Sequence, residues 1–180
     1  MKRTQPTGPY LLAGGSMGGL IAYEVAQQLI AAGDQIEQII MFDTVNPVYR
    51  RKIVSTAKKN NLWSRALDSF RNRVKNYIHN FKVNFKATLY RTFDLPVPLS
   101  LLLYSVERNN YKAIAKYIPQ AYKGNICLLR APVSADSYRQ DPSLGWKDLI
   151  QGEMKIFEIN AEHKQFIECP ELLNVLSTLI

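Results

Sequence analysis

Residues 13–19 read "AGGSMGG", five small residues around Ser16 and Met17. Before them stands "GPYLL", a short apolar, β-prone run opened by a Gly-Pro breaker. After them, in "GGLIAYEVAQQLIAAG", Leu20, Val25, Leu29 and Ile30 recur at roughly helical spacing, and Gly33 supplies a stop. The stretch therefore joins a buried strand to a helix. Three glycine-rich designs occupy such a place. The dinucleotide fingerprint Gly-x-Gly-x-x-Gly fails, because the frame from Gly14 puts Ser16 where a second glycine must admit a pyrophosphate. The P-loop fails, because Leu20 follows Gly19 where Lys is required. The frame that fits is Gly-x-Ser-x-Gly, from Gly14 to Gly18. It sets a serine on a sharp turn at the top of a strand, with Gly14 and Gly18 as the elbow positions where a Cβ would collide with strand or helix. By itself the motif serves equally for a nucleophile and for a plain tight turn.

Four strands are expected, at Tyr10–Ala13, Glu37–Phe42, Ile126–Arg130 and Met154–Ile159. The second and third contain "IIMF" and "ICLL", the apolar runs of strands buried on both faces. One helix joins the first two strands within the length of a βαβ unit, and another, about Pro170 to Leu179, follows the fourth. The expectation is an α/β fold, a parallel sheet with helices on its faces, in a single domain spanning residues 1–180. Between the second and third strands lies a block of different character, residues 50–120. Trp63, Leu67, Phe70, Val74, Ile78, Phe81, Phe85 and Leu89 step by three or four, as in amphipathic helices with basic outer faces. "DLPVPL", Asp94 to Leu99, breaks the run, and "LSLLLYSVERNNYKAIAKYI" resumes helix. This is a helical insertion over the sheet.

Bulk composition narrows the class. The 180 residues, 47% hydrophobic, suffice for one domain with a real core and argue against disorder. Cys127 and Cys169 make no disulfide scaffold and read as thiols in a reducing compartment. The first residues, "MKRTQPTGPY", lack the apolar run of a signal peptide, and no run approaches 18 apolar residues. The expectation is a cytoplasmic protein with no membrane partner. The net charge of +8 is uneven: Arg50 to Arg91 holds 12 Lys or Arg and one acid, Asp68, a net +11 that leaves −3 for the rest.

A serine hydroxyl is a poor nucleophile near neutral pH and needs a histidine base, itself oriented by an acid. In an α/β sheet these groups belong at the C-terminal ends of strands. Ser16 follows the first strand, Asp43 ends the second in "IIMFDTVNP", and His163 follows the fourth in "MKIFEINAEH". Each has a rival. Asp43 reads also as a turn cap with Thr44 and Asn46. Asp136 and Asp141, after the third strand, are alternative orienting acids. His79, inside the basic block, is the other histidine and reads as a helix-surface residue.

With these residues in place, the sequence resembles the type I thioesterase domains that end polyketide and nonribosomal peptide synthetases, members of the α/β-hydrolase superfamily. The resemblance is carried by "GPYLLAGGSMGGLIAYEVAQQL", "MFDTVNP", "YKGNICLLRA", "DPSLGWKDLIQGEMKIFEINAEH" and "PELLNVLSTL". Ala161-Glu162-His163 stands where that family has Gly-Asp-His or Gly-Asn-His, and the ring that acts is kept. The run Asp141 to Trp146 is family-typical, with no derivable catalytic role. The family has strands and an oxyanion-donating loop upstream of its elbow, so the expectation is the C-terminal part of that fold, a truncated domain nearly inactive alone.

The resemblance implies that Ser16 takes an acyl or peptidyl chain from the phosphopantetheine thioester of a carrier protein, His163 removes the hydroxyl proton and Asp43 fixes the imidazole. It implies release by water or by macrocyclisation, the Met17 N–H as an oxyanion donor, the insertion as a lid, and no metal or redox cofactor. The basic block suggests an acidic carrier. A stand-alone serine esterase, an inactive remnant or binding module, and nucleic-acid binding through Trp63, Tyr77 and Phe81 are the rival readings. The last is the weakest, since those aromatics share the apolar stripe expected to be buried.

Overall fold

The computed structural model describes residues 2–58, 81–132, 140–161, 163 and 165–179. The chain divides into two compact units, Met1–Ile53 with Tyr117–Ile180, and Val54–Lys116.

The first unit is a parallel sheet. Strand β1 spans Tyr10–Gly15, helix α1 Met17–Ala31 and strand β2 Ile36–Phe42. Helix α2, Pro47–Lys58, begins here. Strand β3 spans Ile126–Arg130, β4 Met154–Glu158, and the last helix, α5, Pro170–Leu179. The strands lie in the order β1-β2-β3-β4, every neighbouring pair parallel. The four expected strands are present, each end within two residues of its expected place. β1 runs on through Gly14 and Gly15, because the glycine pair continues the ladder against Met41 and Phe42.

Side chains alternate across a strand, so the sheet has two differently built faces. On one, Ile40, Cys127, Leu129, Ala131 and Ile159 are buried with Phe166 and with Leu172 of α5. On the other, Ile39, Met41, Ile126 and Leu128 are fully buried. An aromatic group completes the core: Tyr23 of α1 lies 4.8 Å from Trp146 and 5.5 Å from Tyr122, centroid to centroid. Tyr23 also donates to Gln120 O, and Gln27 to Gln120 O and Ala121 O, so α1 holds the returning chain before β3.

Helix α2 has a signal in the sequence that hydrophobic periodicity passes over. Asn46 Oδ1 accepts the N–H groups of Val48 (2.9 Å) and Tyr49 (3.3 Å), and Pro47 takes the first helical position. An asparagine cap followed by proline is a standard helix start.

In the second unit, residues 81–92 are helical and belong to α3, and α4 spans Leu99–Lys116. The break expected from Asp94 to Leu99 is present at 93–98, with Asp94 in the left-handed region at φ 51°. Phe81, Phe85 and Phe93 lie on one stripe of α3 and its end, and all are exposed. This corrects the expectation of burial for Phe81, which stacks on Phe85 with both rings exposed. The stripe from Trp63 to Ile78, with Tyr77, lies outside the described residues. Among the described residues no helix is long and apolar enough to cross a membrane.

Candidate active site

The parallel ladder runs one residue past β1, β2 and β4, and this sets the site. Ser16 N–H donates to Phe42 O (2.8 Å), Asp43 N–H to Leu129 O (2.7 Å) and Ile159 N–H to Arg130 O (2.8 Å). Ser16 and Asp43 therefore begin the loops at the same sheet edge, with backbones joined across the end of β2.

Ser16 sits at φ 51°, ψ −113°, a conformation L-residues rarely hold. It is exposed, and its backbone is pinned by the bond to Phe42. A Cβ on Gly14 would lie 2.3 Å from the carbonyl of Gly18, so strand and helix meet there backbone to backbone. Gly18 is different: a Cβ there meets nothing within 4 Å. The second crowded glycine is Gly19, where a Cβ would fall 2.0 Å from Thr44 Oγ1. The steric expectation for Gly18 is thus corrected to Gly19. The motif spacing points one residue too early, because the close neighbour comes from the loop after β2, not from the elbow itself. Met17 is the first residue of α1, where a helical N–H has no intrahelical acceptor.

Asp43 is buried, 2% exposed, and also carries a positive φ, 44°. Its Oδ1 accepts the Ala131 N–H (3.2 Å), and its Oδ2 lies 2.5 Å from His163 Nδ1. A carboxylate can only accept, so Nδ1 carries the proton in this pair. In the neutral ring Nε2 is then the free base. The His163 side chain is 44% exposed, reached from solvent on one side and anchored on a buried acid on the other. Among the described residues no hydrogen bond joins the Ser16 hydroxyl to the His163 ring.

Asp141 is engaged within its own turn. Its Oδ1 accepts the N–H (2.9 Å) and hydroxyl (2.8 Å) of Ser143, and its Oδ2 accepts the N–H of Gly145 (3.0 Å). Asp136 and His79 lie outside the described residues. Both cysteines are free; burial pushes the Cys127 thiol up to about 11, which keeps it protonated and unreactive near neutral pH. Among the described residues no cluster of three or more His, Cys, Asp or Glu could hold a metal ion.

The family model for the thioesterase domain matches residues 1–180. Malpinin synthetase of Mortierella alpina is 29% identical over 182 residues, covering all of this chain but 2% of that protein. The non-reducing polyketide synthase PKS1 of Zymoseptoria tritici is 50% identical over 48 residues, 27% of this chain and 2% of that one. The chain thus spans a small part of the curated relatives it matches. In fold it is similar to the Vlm2 thioesterase domain bound with a dodecadepsipeptide, at a TM-score of 0.62 and 17% identity, over 99% of this chain and 70% of that one. The chain belongs to the thioesterase domain family and is related to the thioesterases of polyketide and nonribosomal peptide synthetases.

Proposed function

We propose that this chain is a serine thioesterase that releases an acyl or peptidyl chain from the phosphopantetheine thioester of a carrier protein. The observation that carries the reading is the pairing of His163 with buried Asp43 at the sheet edge where Ser16 occupies its strained elbow.

In this reading Ser16 Oγ attacks the thioester carbonyl carbon as its proton passes to His163 Nε2. Asp43 holds the tautomer and offsets the imidazolium charge. The tetrahedral oxyanion accepts the N–H of Met17, whose place at the start of α1 also offers the positive end of the helix. Collapse breaks the carbon–sulfur bond, and the departing sulfur takes the proton from His163. The acyl-serine is then resolved by water, or by an amine or hydroxyl of the chain itself, which gives a macrocycle. No cofactor takes part. In this reading the insertion, residues 50–120, serves as the lid, and its cations receive an acidic carrier.

Turnover of an acyl-N-acetylcysteamine thioester tests this. In the domain carrying the upstream strands that the resemblance implies, free thiol should be released by the wild-type protein and not by Ser16→Ala. Equal release from both would reject it.

A further inference from the structure

The loop after β2, which bears Asp43, is held by a part of the chain about a hundred residues away. Trp146 is fully buried, and its Nε1 donates to Thr44 O (2.7 Å). Asn46 donates twice to the same distant loop, its N–H to Leu144 O (3.0 Å) and its Nδ2 to Gly145 O (2.8 Å). That loop is rigid in its own right. Asp141 closes it with three hydrogen bonds, and Leu144 and Gly145 both lie in the left-handed region, at φ 48° and 81°. A Cβ at Gly145 would fall 2.3 Å from Tyr49, so the loop presses on α2 as well.

Thr44 is held from a second side. Gly19 of α1 abuts its hydroxyl so closely that no Cβ fits between them, and Thr44 Oγ1 donates back to Phe42 O (3.2 Å). The Trp146 ring meanwhile lies 4.8 Å from Tyr23 of the same helix. The helix that starts after Ser16 and the residue that follows Asp43 are therefore locked together through Trp146 and Gly19. A non-glycine residue at positive φ persists only where its surroundings over-determine it, and Asp43 is such a residue.

We infer that Trp146 and Asn46 are positioning residues, which hold the carboxylate of Asp43 in register with His163 and with the Ser16 elbow. The inference rests on the triad reading above. It assigns the run Asp141 to Trp146 a part in the reaction that no side chain of the run performs directly.

The test uses two variants of the full chain. Trp146→Phe keeps a ring against Tyr23 and removes the indole N–H. Asn46→Ser keeps a capping oxygen for α2 and lacks the reach to Gly145. Circular dichroism establishes which of them fold, and either alone suffices. The first readout is the far-downfield proton resonance of His163 Nδ1, assigned by its loss in His163→Gln. It should move upfield or broaden in each folded variant. The second is the split of kcat from KM on the acyl-N-acetylcysteamine thioester. We expect kcat to fall on the order of 10- to 100-fold, the scale of a misplaced catalytic group, with KM within about twofold. A wild-type resonance in a folded variant overturns the inference. So does a moved resonance with unchanged kcat. Labelling of Ser16→Ala by a fluorophosphonate would reject the triad reading instead, while the proton resonance would still report on the brace.

Discussion

His163 Nδ1 lies 2.5 Å from Oδ2 of Asp43, a residue 120 positions earlier, and that carboxylate also takes the N–H of Ala131. The acid is thereby fixed by backbone on one oxygen and offers the other to the ring. Asp43→Asn should leave the fold intact but present an amide where an acceptor is needed, and reduce acylation on the order of 10⁴-fold. Asp141→Asn should act differently. It weakens bonds inside the 141–146 turn, so the melting temperature should fall while acylation drops far less than in Asp43→Asn. Paired measurements of melting and single-turnover acylation on the two variants check this. A larger catalytic loss at Asp141 would transfer the orienting role.

The glycines of the elbow separate by their surroundings. Gly14→Ala and Gly19→Ala each drive a Cβ into backbone or into Thr44 and should cost about 1–3 kcal/mol or more. Gly18→Ala meets open space inside α1 and should stabilise by up to about 1 kcal/mol through helix propensity. Denaturant unfolding of the three variants is decisive, and the order Gly18 above wild type above Gly14 and Gly19 is expected.

Much of the fold was legible because burial writes itself into composition. "ICLLR" reads as a strand covered on both faces, and all five of its residues are buried. The chain order of Ser16, Asp43 and His163 was legible from the rule that parallel strands carry loops at one edge, and the structure brings Asp43 and His163 into contact there. Helix α2 was not legible from periodicity, since "PVYRRKIVSTAK" has little apolar pattern and starts by a cap. Nor was the work of residues 141–146, because it consists of contacts such as Trp146 to Thr44 across 102 positions. A local reading of the run contains only its glycine and its turn.

Cys127 provides a pH test that is independent of the reaction. Its thiol is raised from the ordinary value of 9.0 to about 11, the cause being burial between β2 and β4. The unfolded chain therefore releases this proton from about pH 9 while the folded chain retains it. The stability it contributes is full below pH 9 and declines as the pH rises toward 11. Thiol titration at pH 8 should modify Cys169, which is only half-buried, well before Cys127. Reversal of that order would contradict the burial.

The basic block should make carrier binding salt-dependent. Arg50 to Arg91 holds 12 cations and one acid, enough to steer an acidic domain by long-range attraction. Raising salt from about 0.05 to 0.5 M shortens the screening length through roughly 10 Å. The apparent Kd for a carrier protein should rise across that range. A Kd unaffected by salt, or tighter binding to DNA than to the carrier, would exclude steering by this block.

The most direct measurement is where a fluorophosphonate attaches. Peptide mass mapping of the treated chain should find the adduct on Ser16. Ser16→Ala should carry none, and His163→Ala should acquire it more slowly by orders of magnitude. An adduct that persists in Ser16→Ala, or that forms at the wild-type rate in His163→Ala, would contradict the proposed catalytic centre.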